Sequence, residues 1–588
     1  MIATRLTQFD ARLKAHGVTG FIIPKSDRHL GEYSPPDEER LAFLTGFDGS
    51  AGLAVVLGSK RAIFVDGRYT LQAKLQVDAD NFEHCGFSAA HIQDWLGKHL
   101  EPSHILAYDP WVLSQDSLRP YQQVCTEKGA RLVALDSNPI DEIWSDRPAR
   151  PRSPAMVHGI EFAGKSWQEK WTDIKAAMSV QGASHLVLTL VDSINWLFNI
   201  RGCDIPHNPF SLSYALLAID GPLRLFIDKE KCSSDVMRHL AGVEVCPYDD
   251  FAACLARLTA ADKVWLDRKH TPALVASALA AAKVTTLSNP DPCLLLKACK
   301  NGTERDGARR SHQRDGVALT RFLQWLDTAV DSDLDEWAAA EQLSAFRKQG
   351  KHYQGASFQT ISGFGPNGAV VHYRVSKDRA ARITRDNLYL LDSGGQYFDG
   401  TTDVTRTMCL GQPTNEQRTH YTLVLKGHLA LGDIQFPHGT SGHQLDALAR
   451  QFLWTRGLDY AHGTGHGVGS FLAVHEGPQK ISVAPVQQPL LEGMIVSNEP
   501  GFYLEGRYGI RIENLVLVIP GTTPGFLRFE TLTMVPYARN LIDADLLSKH
   551  EASLVNRYHE QVYAQLCPDL ASRDAAWLRA ATLPLEIK

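Results

Sequence analysis

The chain has 588 residues, which is too long for one ordinary hydrophobic core, so we expect about two or three domains. Hydrophobic residues make up 44% and charged residues 21% of it, which is typical of a globular protein. The formal net charge of −6 argues against nucleic-acid binding as the main activity, because proteins that bind a phosphate backbone carry a basic surplus.

Targeting and redox signals predict a cytoplasmic protein. Residues 1–10 lack the apolar core of a signal peptide, and no stretch approaches the roughly 18 apolar residues of a membrane span. The ten cysteines are scattered and form no CxxC pair, so a zinc ribbon or a disulfide framework is not expected. We therefore expect reduced thiols and no membrane partner.

The first region, about 1–155, is predicted to be a mixed α/β domain. Its short apolar runs alternate with helical patterns, and they lie at 20–24, 52–57 and 62–65. A proline- and arginine-rich stretch at 147–154 then interrupts the pattern and indicates a linker.

The second region, about 156–300, repeats similar material in the same order. The corresponding runs lie at 182–188, 214–219 and 223–228. This weak internal repeat indicates a duplicated domain, although similarity at this level also arises by chance.

The third region, 301–588, carries almost all of the unusual chemistry, between residues 350 and 515. It begins with a polar helical stretch, Glu304 to Arg314, that continues into the apolar-periodic stretch Val317 to Val330. The final segment, 540–588, also has helical periodicity.

The first chemical segment is a predicted hairpin. An apolar strand runs from Asn387 to Asp392, turn residues follow, and a β-branched strand begins at Thr401. If the hairpin centres near residues 397 and 398, Asp392 and Asp403 face each other across it. Facing carboxylates repel unless a proton or cation lies between them, although both could instead be solvated turn residues.

The second segment, Ala461 to Gly469, places four glycines around His462 and His466, and His475 follows shortly after. Glycine permits tight backbone approach and leaves room around the imidazoles. The segment lacks the lysine of a phosphate-binding loop. Isolated histidines are usually structural, but three within fourteen residues favour metal ligation or catalysis.

The third segment contains an apolar strand that ends in Glu499, followed by the alternating run 509–515. Alternation places Arg511 and Glu513 on one face. A buried carboxylate is costly without a partner, so this pair indicates either a structural ion pair or a metal ligand with an arginine beside it.

Together the three segments supply four carboxylates and one histidine, a set that suits a dinuclear centre of divalent cations. Two such ions are bridged by carboxylates and activate a shared water at neutral pH. An oxygen-rich donor set favours Mn, Co or Zn over a thiolate-type site.

These residues resemble those of the pita-bread metallopeptidases, the group that includes methionine aminopeptidase, prolidase and aminopeptidase P. The resemblance is greatest to the long, three-domain, cytosolic type of the aminopeptidase P family and covers essentially the whole chain. The strings that carry it are Leu391–Thr407, Phe436–His443, His462–Gly469 and Ile510–Asn514, with Ser26–Asp27, Phe47–Gly52 and Asp66–Tyr69 in the first region and Trp196–Gly202 in the second.

The resemblance implies an α/β (α+β) fold in which two creatinase-like mixed domains, 1–155 and 156–300, precede a pita-bread catalytic domain at 301–588. It implies hydrolysis of the N-terminal bond of Xaa-Pro-Xaa peptides by a hydroxide that bridges two divalent ions. Mn²⁺ is the expected metal, with Zn²⁺ or Co²⁺ as alternatives, and a homodimer is the expected assembly.

The same resemblance implies a role for each metal-site residue. Asp392 binds one ion and His466 the other, whereas Asp403 and Glu513 bridge the two. Glu499 completes the second site and relays a proton to the leaving proline nitrogen.

Four further residues are assigned to substrate and support by the resemblance. His372 and His475 steady the substrate and the tetrahedral oxyanion, and His462 lies at the pocket edge. Arg511 holds the ligands from behind. The alternatives are a prolidase that cleaves dipeptides, a methionine aminopeptidase, which the roughly 300 preceding residues disfavour, and a non-catalytic peptide-binding relative.

Overall fold

The computed structural model describes residues 2–586. The chain divides into two compact units, Met1–His158 with Lys165–Leu294, and Gly159–Gly164 with Leu295–Lys588. The second unit contains every segment to which the sequence assigns chemistry. Among the described residues, no helix has both the length and the apolar character that a membrane crossing requires.

The first unit begins with a six-stranded mixed sheet in the order β4-β3-β2-β1-β5-β6. Its strands are β1 (Gly20–Pro24), β2 (Leu53–Leu57), β3 (Lys60–Val65), β4 (Glu83–Gly86), β5 (Ile105–Tyr108) and β6 (Arg131–Ala134). The helices are α1 (Ile2–Ala15), α2 (Arg40–Thr45), α3 (Thr70–Gln76), α4 (Ala89–His99) and α5 (Gln115–Lys128). Alternation along β1 covers both faces: Phe21 and Ile23 join Phe9 of α1 in one buried cluster, and Ile22 joins Trp95 of α4 in another.

A second six-stranded sheet follows, with the order β12-β11-β10-β8-β13-β14. The strands of this region are β7 (Met156–Val157), β8 (His185–Leu188), β9 (Ile200–Arg201), β10 (Tyr214–Ala218), β11 (Leu223–Phe226), β12 (Val243–Cys246), β13 (Lys263–Leu266) and β14 (Thr285–Ser288). The helices are α6 (Ile160–Ala163), which belongs to the second unit, and α7 (Trp167–Gln181), α8 (Val191–Leu197), α9 (Ser234–His239), α10 (Phe251–Leu255), α11 (Ala273–Ala281) and α12 (Pro292–Ala298).

The two sheets share one topology. In each, the first strand pairs antiparallel with the second and parallel with the fifth, and the second and third form an antiparallel pair. The outer pairs are parallel in both. The structure therefore matches the weak internal repeat in the sequence and favours duplication over chance.

The second unit combines long helices with antiparallel sheets. The strands are β15 (Tyr353–Ala356), β16 (Ile361–Phe364), β17 (Leu388–Ser393), β18 (Gly395–Tyr397), β19 (Gly400–Thr401), β20 (Val404–Cys409), β21 (Gln435–Pro437), β22 (Gly465–Gly467), β23 (Glu476–Ile481), β24 (Ile495–Asn498), β25 (Gly501–Leu504), β26 (Tyr508–Arg511), β27 (Asn514–Pro520) and β28 (Phe526–Thr531). The helices are α13 (Gly302–Ala329), α14 (Glu336–Arg347), α15 (Asn415–Gly432), α16 (Gly442–Trp454), α17 (Lys549–Leu566) and α18 (Ser572–Ala581).

Two sheets of this unit carry the chemical segments, β16-β17-β20 and β21-β28-β27-β24-β22-β23. The predicted helical stretches between 304 and 330 form the single helix α13. It begins at Asn301, whose side chain accepts a hydrogen bond from the Glu304 N–H while Glu304 accepts one from the Asn301 N–H. This reciprocal cap satisfies two donors that the first turn would otherwise leave unpaired.

The predicted register of the 387–407 hairpin is wrong. Tyr397 pairs with Gly400, so the hairpin centres between residues 398 and 399, one residue later than expected. Asp392 consequently lies opposite Thr405, and Asp403 precedes the first residue of β20. The strands also change sheet after Ser393, which leaves Asp403 at the corner rather than in the ladder.

The alternating run 509–515 also differs from a single strand. It divides between β26, which ends at Arg511, and β27, which begins at Asn514. β26 pairs with β25 and β27 pairs with β24, so Glu513 lies in the short break between two sheets.

Candidate metal centre

Four acidic side chains meet where strands of the two sheets end. Asp392 lies near the end of β17, Asp403 precedes β20, Glu499 follows β24 and Glu513 precedes β27. The backbone N–H of Glu513 donates to the Thr405 carbonyl over 3.1 Å and so joins the two sheets at this point. Asp392 is still paired within its sheet, whereas Asp403, Glu499 and Glu513 lie just outside their strands, and the four carboxylates converge on one place.

His466 lies in β22, between two glycines that permit close strand packing. A Cβ on Gly465 would lie 2.0 Å from the Ser497 carbonyl oxygen, and one on Gly467 would lie 2.3 Å from the Glu476 carbonyl oxygen. Only glycine therefore fits at either position. The backbone N–H of His466 donates to the Ser497 hydroxyl over 2.9 Å, which fixes the strand at this residue.

The hydrogen bond of the His466 ring determines its tautomer. Nδ1 lies 2.9 Å from the Gly467 carbonyl oxygen, and a carbonyl only accepts, so Nδ1 carries the hydrogen. Nε2 of the neutral ring then presents a lone pair. It faces Asp403 Oδ2 and Glu499 Oε1, each 3.5 Å away. A lone pair opposite two carboxylates is unfavourable unless a proton or a metal cation lies between them.

Two of the carboxylates receive hydrogen bonds that orient them. Glu513 Oε2 accepts from the Thr405 hydroxyl over 2.7 Å, and Glu499 Oε1 accepts from the Ser497 hydroxyl over 3.0 Å. These short hydrogen bonds fix the orientation of both carboxylates, and therefore the direction in which their other oxygen atoms point. Carboxylates that bind a metal are commonly held in this way.

Burial and charge together show that the site fits a divalent cation. Asp403, His466 and Glu513 each offer a donor atom within 4.8 Å of the others, and Asp403 and Glu513 are 4% and 1% exposed. Burial, then the neighbouring carboxylates, raise the pKa of both Asp403 and Glu513 well above the ordinary range. Asp392 Oδ1 and Asp403 Oδ1 are buried without a hydrogen-bond partner, as expected of metal-binding oxygens.

Arg511 supports Asp392 through a direct ion pair. Its guanidinium is 2% exposed, and Nη2 donates to Asp392 Oδ2 over 2.6 Å. Nε donates to the Thr405 hydroxyl over 3.1 Å, so Arg511 and Glu513 share that threonine. The ion pair of Arg511 is thus with Asp392, and the alternative of an isolated Arg511–Glu513 pair does not describe the site.

Tyr503 joins the network and was not anticipated from the sequence. Its hydroxyl accepts from Arg511 Nη1 over 2.6 Å and lies 2.8 Å from His462 Nε2. His462 Nδ1 lies 2.8 Å from the Gly463 carbonyl, so Nδ1 is the protonated nitrogen and Tyr503 donates to Nε2. Every hydrogen in this relay is therefore assigned, from His462 through Tyr503 and Arg511 to Asp392.

The other two predicted histidines occupy different settings. The His475 ring lies 4.3 Å from the His466 ring, at an interplanar angle of 74°. His372 lies, half-buried, in the turn that follows the 3₁₀ helix Gly365–Ala369. Its neighbour Tyr373 donates to Glu336 of α14 over 3.0 Å, which anchors that turn.

Comparison with protein families divides the chain into four consecutive matches. Residues 5–143 match the creatinase/prolidase N-terminal domain, and residues 146–304 match a second family of the same description. Residues 306–520 match metallopeptidase family M24, and residues 525–585 match the C-terminal region of peptidase M24.

Over 602 residues the chain is 40% identical to a probable Xaa-Pro aminopeptidase P of Laccaria bicolor, covering 99% of this chain and 93% of that relative. The chain belongs to the Xaa-Pro aminopeptidase P family of M24 metallopeptidases. Xaa-Pro aminopeptidase 2 of Sus scrofa, 37% identical, is matched over 99% of this chain and 89% of its own length.

Two solved structures resemble this chain to different extents. The X-prolyl aminopeptidase of Caenorhabditis elegans, described as a cytosolic enzyme with a di-nuclear active site, matches with a TM-score of 0.96 and 32% identity over 100% of both chains. The Xaa-Pro dipeptidase of Bacillus anthracis, 22% identical with a TM-score of 0.51, covers 63% of this chain and shares the fold. The predicted fold class, two creatinase-type domains before a pita-bread domain, is confirmed.

Proposed function

We propose that this chain is a two-metal Xaa-Pro aminopeptidase, which releases the first residue of peptides whose second residue is proline. One observation carries the proposal: the donor set of buried Asp403, half-buried His466 and buried Glu513 lies in a chain that matches an aminopeptidase P along 99% of its length. The description of the C. elegans relative as cytosolic and di-nuclear supports a cytoplasmic protein with two metals.

The donor set suits two divalent ions. Asp392 would hold one ion and His466 the other, Asp403 and Glu513 would contribute to both, and Glu499 would complete the second site. Two divalent ions bound there would lower the pKa of a water toward neutrality and polarise the scissile carbonyl. Oxygen donors predominate, so we propose Mn²⁺ as the resident metal, with Zn²⁺ or Co²⁺ as the alternatives.

The protein moves the proton through Glu499. Hydrolysis adds the water oxygen to the scissile carbonyl carbon and breaks the bond to the proline nitrogen, so one water proton must reach that nitrogen. Glu499 receives this proton. The Ser497 hydroxyl donates to Glu499 Oε1, and this hydrogen bond holds the carboxylate beside His466 Nε2. Glu499 then donates the proton to the departing proline.

The neighbouring histidines act on the substrate. His475, beside the His466 ring, donates to the carbonyl oxygen as it becomes an oxyanion. His372 steadies the substrate, and His462 lies at the pocket edge with its Nε2 occupied by Tyr503. Arg511 and Tyr503 hold Asp392 and His462 in position and do not react.

A preference for proline would need a site that does not depend on an N–H at the scissile bond. The bond before proline is a tertiary amide without an N–H, so a site that needs to bond that hydrogen would leave its acceptor unpaired. An apolar pocket can receive the ring instead. We also propose a homodimer, which light scattering coupled to size exclusion would establish by measured mass.

The deciding experiment compares three peptides of equal first residue, Xaa-Pro-Xaa, Xaa-Pro and Xaa-Ala-Xaa, by steady-state kinetics. The chain is first stripped with a chelator and then reloaded with Mn²⁺, Zn²⁺ or Co²⁺. We expect release of the first residue from the proline tripeptide, restored best by Mn²⁺. Turnover of the dipeptide alone would establish a prolidase, and no turnover with any metal would establish a non-catalytic relative.

A further inference from the structure

Lys297, Lys300 and Glu476 form a cluster of three buried charged side chains, and Glu476 follows His475 in the chain. Lys300 Nζ donates to Glu476 Oε1 over 2.5 Å, and Lys297 Nζ lies 3.2 Å from Glu476 Oε2. The three side chains are each 0% exposed. Lys300 Nζ also donates to the Lys297 carbonyl over 2.7 Å, which ties the two lysines together.

Stability does not account for this cluster. The cluster buries two ammonium groups and one carboxylate, and each buried ion costs several kcal/mol of desolvation. Replacing buried ion clusters with apolar side chains of similar volume is often neutral or stabilising. A cluster of this kind is therefore expected to have another role.

The position of Glu476 indicates that role. It is the first residue of β23 and follows His475 in the chain. It also pairs with Gly467, the residue after His466, at a point where the ladder is irregular: His466 pairs with Lys480, and the next residue, Gly467, pairs with Glu476. Glu476 is thus the chain neighbour of one histidine and the strand partner of the residue beside the other.

The loop between the two histidines needs such an anchor. Residues 469–473 form a tight turn, closed by the Gly469 N–H donating to the Ala473 carbonyl over 2.9 Å. The Gln396 side chain fixes the middle of the loop by donating to the Leu472 carbonyl over 2.8 Å. Glu476 fixes the end of the loop, because it follows His475 directly and forms the irregular pair with Gly467.

We propose that Glu476, clamped by Lys297 and Lys300, is a positioning residue that holds His475 against His466. The cluster fixes the start of β23, and this sets the 4.3 Å separation of the two rings. The inference rests on the proposed function for its kinetic consequence, because His475 is there the donor to the oxyanion. Its structural consequence is independent of any activity.

The main test replaces the whole cluster, in the variant K297M/K300M/E476M. Methionine has a similar volume, and replacing all three side chains together removes both Glu476 ion pairs without leaving one of these three charges behind. We expect kcat on a proline tripeptide to fall about 10- to 100-fold, since a displacement of about 1 Å at a catalytic group costs up to about 100-fold. KM changes by less than about threefold, because the lost contact forms in the transition state.

A milder variant, Glu476→Gln, keeps the shape of the side chain and one acceptor oxygen, but it removes the charge and turns an amide N–H donor toward one of the two lysines. A kcat decrease of several-fold is expected, with Lys300→Arg, which retains the ion pair, close to wild type. The matched control is K426M/E551Q, since Lys426 and Glu551 form a 2.7 Å lysine–glutamate pair between α15 and α17. This control should leave kcat and KM unchanged.

A crystal structure of the triple variant provides the second readout, the separation of the His466 and His475 rings. Wider separation with reduced kcat supports the inference. Unchanged separation, or unchanged kcat in an active enzyme, overturns it. If the wild type hydrolyses no proline peptide, the proposed function fails while the ring separation still decides this inference.

Discussion

The substitution Asp403→Asn should have opposite effects on stability and on activity. In the metal-free protein Asp403 and Glu513 repel each other, and at 4.8 Å, the outer limit for their donor oxygens, that repulsion is about 3.5 kcal/mol at an effective dielectric constant of about 20. Protonation relieves part of it, since burial and the facing carboxylates raise the pKa of both groups. We therefore expect Asp403→Asn to stabilise the metal-free protein by about 1–3 kcal/mol.

The assay is thermal unfolding of chelator-treated protein with and without added Mn²⁺. About 1 kcal/mol corresponds to roughly 2–4 °C in domains of 150–250 residues, so the metal-free variant should melt several degrees above the metal-free wild type. Added Mn²⁺ should raise the melting temperature of the wild type only, by mass action on the folded state. Peptide hydrolysis by the variant should be abolished.

A matched control lies four residues away. Asp399 is buried, but it pairs with Arg314 and Arg310, so its charge is compensated. Asp399→Asn should therefore destabilise the metal-free protein, because Arg314 loses its charge-assisted hydrogen bond to the buried Asp399 carboxylate. The reasoning is refuted if Asp403→Asn lowers the metal-free melting temperature, as Asp399→Asn does, or if Mn²⁺ stabilises the Asp403→Asn variant as much as the wild type.

Two further substitutions test the residues that support Asp392 and His462, and a third tests a buried histidine of the first unit. Tyr503→Phe removes the hydroxyl between His462 and Arg511, and steady-state kinetics should show about a 10- to 100-fold loss in kcat/KM; wild-type kinetics would contradict the relay. Arg511→Met removes the 2.6 Å partner of Asp392, and metal titration should show roughly 10- to 100-fold weaker binding, with undiminished affinity as the contrary result. Burial lowers the pKa of His29 to about 3, so between about pH 3 and pH 6.5 the unfolded state binds a proton and the folded state does not. Stability therefore falls as pH drops from about 6.5 towards 3. His29→Asn should flatten that part of the melting-temperature profile, and an unchanged slope would exclude the residue as its source.

The sequence predicts the candidate metal donors because carboxylates at strand ends and glycine-flanked histidines are local patterns. The register of the hairpin was harder to predict from the sequence. A turn centred one residue later moves the partner of Asp392 by two positions, and nothing local distinguishes the two turns. The proximity of Asp392 and Asp403 survives this error because the strands bend out of one sheet between them.

Tyr503 was missed although a signal existed. Gly501 and Tyr503 alternate along β25, and Gly501 pairs with Arg511, so a predicted hairpin at 501–511 would have placed the tyrosine beside the arginine. The partners of Glu476 carried no such signal. Lys297 and Lys300 lie more than 170 residues earlier in the chain, and only the folded structure brings them together.

The glycines on either side of His466 limit how this enzyme can be redesigned. Because the Ser497 and Glu476 carbonyl oxygens occupy the space of any side chain at 465 and 467, a saturation library at these two codons should return glycine alone. Laboratory evolution of new peptide preferences would have to work through surrounding positions. Substitutions at the two residues next to His466 would therefore be removed by selection, because any side chain there disrupts the strands that hold the imidazole in place.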